Sequence, residues 1–304
     1  MSIPWHLPSL ATLLLAVAAC GSAGPSGPGA GTIPPTTPPA APTSAPSTGP
    51  IGAIDHPTGA TDVVLRYEES GGFVPIEWFA SSAPIFTLYG DGRIIFRDPR
   101  LDPLPNVGSV RPLRPLRTAR MNEDQIQALL GYALGPGGLG IARPTYPNDL
   151  VADASNAVFT VRAGGVAKTV TVYALGLESN GVPDIPARQG FLALRDHLVN
   201  IHQGGSIKTD VYAPDRYRAI LQEGQAGVPA PHPWPWPEIK VAGFVIDSAP
   251  TAVQLPARVL TVAEVERLGV TPYQGGFTGL PLTGPGDGKS YSLSLRPLFP
   301  DETR

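Results

Sequence analysis

Ile85–Arg97, IFTLYGDGRIIFR, is the stretch on which the fold turns. Two runs of β-branched and aromatic residues flank Gly90-Asp91-Gly92. An Asp-Gly pair is a strong tight-turn signal, because glycine takes positive φ without a Cβ clash. The spacing predicts a β-hairpin with Phe86 and Leu88 on the same face as Ile94 and Phe96. Upstream, Val63, Leu65 and Tyr67 alternate with Val64, Arg66 and Glu68, which predicts a strand ended by Gly71-Gly72.

Downstream, Asn122 with Gln125 three residues on makes a capping box, and Glu123 and Asp124 suit the positive end of a helix dipole. Ile126, Leu129, Leu130 and Ala133 share one face of that helix. Gly135-Pro-Gly-Gly138 ends it. Asn156–Val161 and Lys168–Ala174 read as a second hairpin through Gly164-Gly165. A second helix starts near Pro186, carries Phe191, Leu194, Leu198 and Ile201 at helical spacing, and stops at Gly204-Gly205.

Beyond Gly205, Lys208–Tyr212, Arg216–Leu221 and Lys240–Asp247 suggest strands. Thr261 and Glu264 cap a short helix, and Tyr291, Leu293 and Leu295 alternate in a last strand. The expected fold class is α+β: antiparallel sheet built from hairpins, two longer helices packed on one face, and a β-rich C-terminal part with one short helix. Residues 57–204 form the expected α+β domain. Residues 205–304 are either a second, β-rich domain or an extension of the first sheet.

The N-terminal text has another logic. Leu10–Ala19 is apolar except for Thr12, a length that suits the core of an export signal and falls short of the ~20 residues of a membrane-crossing helix. Val17-Ala18-Ala19-Cys20 resembles the lipobox of bacterial lipoproteins. That resemblance implies cleavage before Cys20, a signal peptide over residues 1–19, and acyl chains on the Cys20 thiol, several of which hold a membrane far better than one. No Lys or Arg precedes Arg66, so His6 is the only candidate for the usual N-terminal cation. Residues 20–56 read as the anchor cysteine and a Pro/Thr/Ala/Gly-rich tether. Gly21–Pro50 cannot bury enough apolar surface to fold, and as polyproline II it would reach about 90 Å at ~3.1 Å per residue.

Composition bounds the remaining chemistry. The 304-residue chain has net charge −3, which argues against a nucleic-acid binder. Its one cysteine leaves no disulfide. Pro (37) and Gly (35) are so abundant that long loops are expected. Leu177-Glu-Ser179-Asn-Gly181 lacks the first glycine of a nucleophile elbow. His197 and His202 are five apart, so they do not share a helix face as zinc ligands one turn apart do. No metal or cofactor motif stands out. The carboxylates around the first hairpin, Glu68, Glu77, Asp91 and Asp98, read as turn or solvated-edge residues.

Two features point to binding. Arg111, Arg114 and Arg117 recur every three residues, which on polyproline II forms a cationic edge suited to an anionic wall polymer or envelope protein, or a solvated loop pinned by Leu113 and Leu116. Trp234 and Trp236 share a face of an extended Pro-rich segment, either as a stacking platform or as core plugs. The phrases TLYGDGRIIF (Thr87–Phe96) and RPLFPDE (Arg296–Glu302) are similar to uncharacterised lipoproteins of high-GC bacteria, a family with no activity to transfer. The expectation is a lipid-anchored, extracytoplasmic, non-enzymatic binding module. An extracytoplasmic hydrolase with a carboxylate or serine site and a structural assembly factor are the alternatives.

Overall fold

The computed structural model describes residues 52–75, 78, 81–98, 111–202, 207–224, 232–246, 255–271, 273–286 and 288–303. Residues 1–51, where an export signal, the anchor Cys20 and most of a tether are expected, lie outside the described residues, as do Glu77 and Gly204-Gly205.

The strands of the first half are β1 (Val63–Gly71), β2 (Phe86–Tyr89), β3 (Arg93–Phe96), β4 (Arg111–Pro112), β5 (Arg117–Arg120), β6 (Thr145–Tyr146), β7 (Ser155–Ala163) and β8 (Val166–Tyr173). Those of the second half are β9 (Asp210–Val211), β10 (Arg216–Glu223), β11 (His232–Pro233), β12 (Val245–Ile246), β13 (Pro256–Thr261), β14 (Phe277–Thr283) and β15 (Ser290–Pro297). Helices α1 (Glu123–Leu134), α2 (Ile185–Val199) and α3 (Val262–Glu266) complete the set. The fold is α+β.

The Asp-Gly hairpin forms as its sequence requires. Phe86, Thr87 and Leu88 pair with Phe96, Ile95 and Ile94. Gly92 turns the chain at φ +83°, and Asp91 Oδ1 accepts from Arg93 N at 3.0 Å. A Cβ on Gly92 would stand 2.5 Å from the Met121 carbonyl, so the turn also fits closely against the entry to α1. Around this hairpin an eight-stranded sheet runs in the order β6-β8-β7-β1-β2-β3-β5-β9. Its pairings are antiparallel except for β6 with β8.

Both longer helices cover one face of that sheet. The capping box of α1 is complete, with Gln125 N donating to Asn122 Oδ1 and Asn122 N to Gln125 Oε1, each at 2.9 Å. Ile126, Leu129, Leu130 and Ala133 are buried, as their spacing predicts. In α2, Phe191, Leu194 and Leu198 face the same core, against Leu65, Tyr67, Phe86, Phe96 and Phe159. Each such side chain contributes about 1.5–3 kcal/mol by leaving water.

The second half builds its own sheet, in the order β11-β14-β15-β10-β13-β12. Trp236, Phe277, Leu293 and Leu295, with Val265 of α3, fill its core. Exchange between the sheets is limited to short pieces: β4 pairs with β14, and β9 pairs with β5.

Two expectations need correction. Arg111–Arg120 is not a polyproline stripe. Its ends are short strands belonging to different sheets, because hydrogen bonds to β14 and β3 satisfy backbone groups that polyproline II would leave to water. Lys240–Asp247 is not one strand either. A single 3₁₀ turn, Val241–Gly243, precedes the two-residue β12.

Between the sheets lies a small apolar cluster of Ala83, Tyr89, Ile95, Leu116, Tyr212 and Phe299. The segment after β15 supplies its polar rim. Asp301 Oδ1 accepts from Arg66 Nη2 at 2.8 Å and from the Tyr89 hydroxyl at 2.6 Å. Arg296 grips Glu302 with both terminal nitrogens at 2.8 Å, and the Arg66 guanidinium lies 5.8 Å from the centre of the Phe299 ring. Thr87–Phe96 and Arg296–Glu302, far apart in sequence, thus meet in one junction.

Candidate functional site

The end of the sheet where β1 leaves β7 carries a cavity of about 400 Å³. Gly71 and Gly72 shape it. Their φ values of +78° and +87° turn the chain sharply out of β1, a geometry that a side chain would strain. Phe73 N then donates to the Asp153 carbonyl at 3.1 Å, holding the turn beside the start of β7. Phe73, Val74 and Trp78 line the mouth and are 91%, 38% and 42% exposed. Such a cluster of exposed apolar side chains is unusual outside interaction sites.

The inner wall includes Ile85, Ala83 and Arg97. Arg97 follows β3 directly, and its N–H donates to the Ile85 carbonyl at 3.0 Å, which extends the hairpin by one pair. Its side chain is half-buried, yet Nε and Nη2 touch neither water nor a hydrogen-bond acceptor. Burial pushes the guanidinium down to about 10, and the neighbouring Arg296 acts in the same direction. At neutral pH it therefore remains charged, with no acidic side chain among the described residues offsetting its burial.

Other buried arginines show how this fold treats a cation needed only for structure. Arg188, 1% exposed, donates to the carbonyls of Tyr173, Tyr146 and Pro147 and to Glu178. Arg66 and Arg296 have Asp301 and Glu302. Several arginines leave a lone Nε unsatisfied, but among the described residues only Arg97 also orphans a terminal nitrogen. A buried donor without a partner costs about 1–3 kcal/mol, so native structures rarely retain one without use.

No family model, curated protein or solved structure matches this chain. The geometry therefore stands as the main guide to function.

The residues singled out in the sequence fare differently. Trp236 is wholly buried and its Nε1 donates to the Glu264 carbonyl at 2.8 Å, so it serves as a core plug. Trp234 is half-buried, donates to the Ile239 carbonyl at 2.7 Å, and meets Trp236 edge-on at 86°. The two indoles do not form a flat platform, because the Pro-rich segment folds them into an aromatic cluster with Phe244 and Tyr291. A shallow groove bounded by Trp234, Pro233, Pro237 and Pro285 remains beside them.

Arg111 is exposed in β4, whereas Arg114 and Arg117 are half-buried. Of the carboxylates near the first hairpin, Asp91 does cap its turn. Asp98 is not on a solvated edge. It is 2% exposed and its Oδ2 lies 2.6 Å from His202 Nδ1. Glu68 is half-buried, and burial raises its pKa. His197 stacks on Tyr132, the ring centres 4.7 Å apart. Among the described residues no group of three or more His, Cys, Asp or Glu side chains could hold a metal ion.

Sequence reasoning missed Phe73, Trp78 and Arg97 as site residues. Gly71-Gly72 followed by Phe-Val-Pro-Ile-Glu-Trp carried the available signal: a chain break that leads into apolar residues with no strand or helix period.

Proposed function

We propose that this chain is a lipid-anchored, extracytoplasmic binding protein, and that the cavity lined by Phe73, Trp78 and Arg97 is its ligand site. The observation that carries the binding reading is the Arg97 guanidinium, a cation with no acidic side chain among the described residues offsetting it, in the wall of an apolar-mouthed cavity. Ligand sites are mostly apolar with a few placed polar groups, and their usual volume begins near ~300 Å³. The anchoring reading rests on the lipobox resemblance at Val17–Cys20 and on the tether composition after it. Among the described residues no helix is long and apolar enough to cross a membrane.

Intact-mass measurement on membrane-extracted protein tests the anchor. The expected species begins at Cys20 and carries added acyl mass, and a Cys20→Ser variant leaves the membrane fraction. An unmodified cysteine, or a Cys20→Ser chain that stays membrane-bound like the parent, contradicts it.

A further inference from the structure

We infer that the cavity beside Arg97 takes a small molecule with one carboxylate on an apolar, preferably aromatic, body. This inference deepens the binding reading above and rests on it. The charge requirement comes from Arg97. Its Nε and Nη2 are sealed off, which leaves Nη1 as the nitrogen open to a ligand, whereas other arginines here are given carbonyls or carboxylates where the cation is structural. A carboxylate accepting from Nη1 would offset the charge of the guanidinium through one charge-assisted hydrogen bond.

The rim sets the limit on charge. Glu69 and Asp153 also line the cavity, and both are exposed. Their negative charges work against a dianion such as a phosphomonoester and tolerate a monoanion held deeper, against Arg97. Glu69 is itself held in place, its Oε1 accepting from the Tyr67 hydroxyl at 2.6 Å. The body of the ligand is set by Phe73, Val74, Trp78 and Ile85, which offer ring faces and aliphatic surface. A volume of about 400 Å³ suits a small molecule, the size range of ordinary ligand pockets.

The test is a set of calorimetric titrations of the full-length protein with three compounds of one shape: 4-phenylbutyrate, 4-phenylbutylamine and 4-phenyl-1-butanol. Phenyl phosphate serves as the dianion. Saturable binding of 4-phenylbutyrate is expected, weakened about ten- to a hundredfold in Arg97→Met, the loss of one charge-assisted contact. Trp78→Ala should weaken it as well. The amine and phenyl phosphate should bind at least tenfold more weakly than the carboxylate.

Equal binding of the alcohol and the carboxylate, with loss in Trp78→Ala, overturns the carboxylate class and leaves the cavity as a site. Preference for phenyl phosphate overturns it in favour of a phosphate ligand. Binding of none of the four overturns this inference and removes the support for the cavity reading too. Melting curves of both variants, matched to the parent or higher, exclude unfolding as the cause of any loss.

Discussion

Replacing Arg97 by methionine is expected to make the protein more stable, even though it removes a charged, half-buried side chain. Methionine fills similar volume with apolar atoms and removes two donors that have no acceptor. Unsatisfied buried donors cost about 1–3 kcal/mol, and replacing a buried charge with a well-packed apolar chain is often stabilising. A gain of about 1–2 kcal/mol corresponds to a rise in Tm of about 2–6 °C for a domain of this size. Arg188→Met is the matched comparison. It abandons three carbonyls and Glu178, so it should lower the Tm by a larger amount. Differential scanning calorimetry reads both. A fall in Tm for Arg97→Met comparable to that of Arg188→Met would make Arg97 a structural residue and remove the main support for a ligand site. The expected pattern, stability gained where binding is lost, is what a functional residue kept at a stability cost produces.

The second large effect is expected at the junction between the sheets. Asp301→Ala strips the acceptor from the Arg66 guanidinium and from the Tyr89 hydroxyl together. Arg66 and Asp301 keep 16% and 20% side-chain exposure, so some water can replace the lost contact. The cost should therefore be about 2–4 kcal/mol, at or below that of breaking a fully buried pair. Urea denaturation followed by near-UV circular dichroism gives the number. Adding Arg66→Met to the same chain should recover part of the loss, because no unpaired cation then remains. A loss under about 0.5 kcal/mol would mean that apolar contacts at Phe299 hold the C-terminal segment without help from the ion pair.

This junction also gives a structural role to the two phrases Thr87–Phe96 and Arg296–Glu302. Tyr89 and Ile95 belong to Thr87–Phe96, and Phe299 and Asp301 belong to Arg296–Glu302. In the fold they touch the same small cluster or share one carboxylate. In this chain the two phrases build the join between the sheets.

The first sheet was largely legible because its signals are local. The Asp91-Gly92 turn, the Asn122 capping box and the spacing of Ile126, Leu129, Leu130 and Ala133 each involve residues a few positions apart. The second sheet was legible only in part. β14 carries a positive-φ glycine at Gly279 and a proline at Pro281, which spoil the alternation that marks a strand. The junction between the two sheets was not legible at all. β15 is buried at Ser294, Arg296 and Pro297 as well as at Tyr291, Leu293 and Leu295, because the polar face that alternation assigns to water is covered.

The candidate site was hidden for the same reason. Nothing in RIIFR distinguishes Arg93, whose Nη2 donates to the Ala60 carbonyl, from Arg97, whose Nη2 has no acceptor. That difference is set by the chain around each residue and not by their own neighbours in sequence. The Trp234/Trp236 pair shows the converse. It is conspicuous in the text, yet both indole N–H groups are committed to backbone carbonyls.

The most direct test of the account follows the Arg97 Nε–Hε resonance in the NMR spectrum of the full-length protein, assigned by its loss in Arg97→Met. The account predicts that 4-phenylbutyrate moves this resonance saturably while 4-phenylbutylamine leaves it in place. An unmoved Arg97 signal, with shifts instead at the Trp234 indole, would contradict it and place binding in the groove of the second sheet.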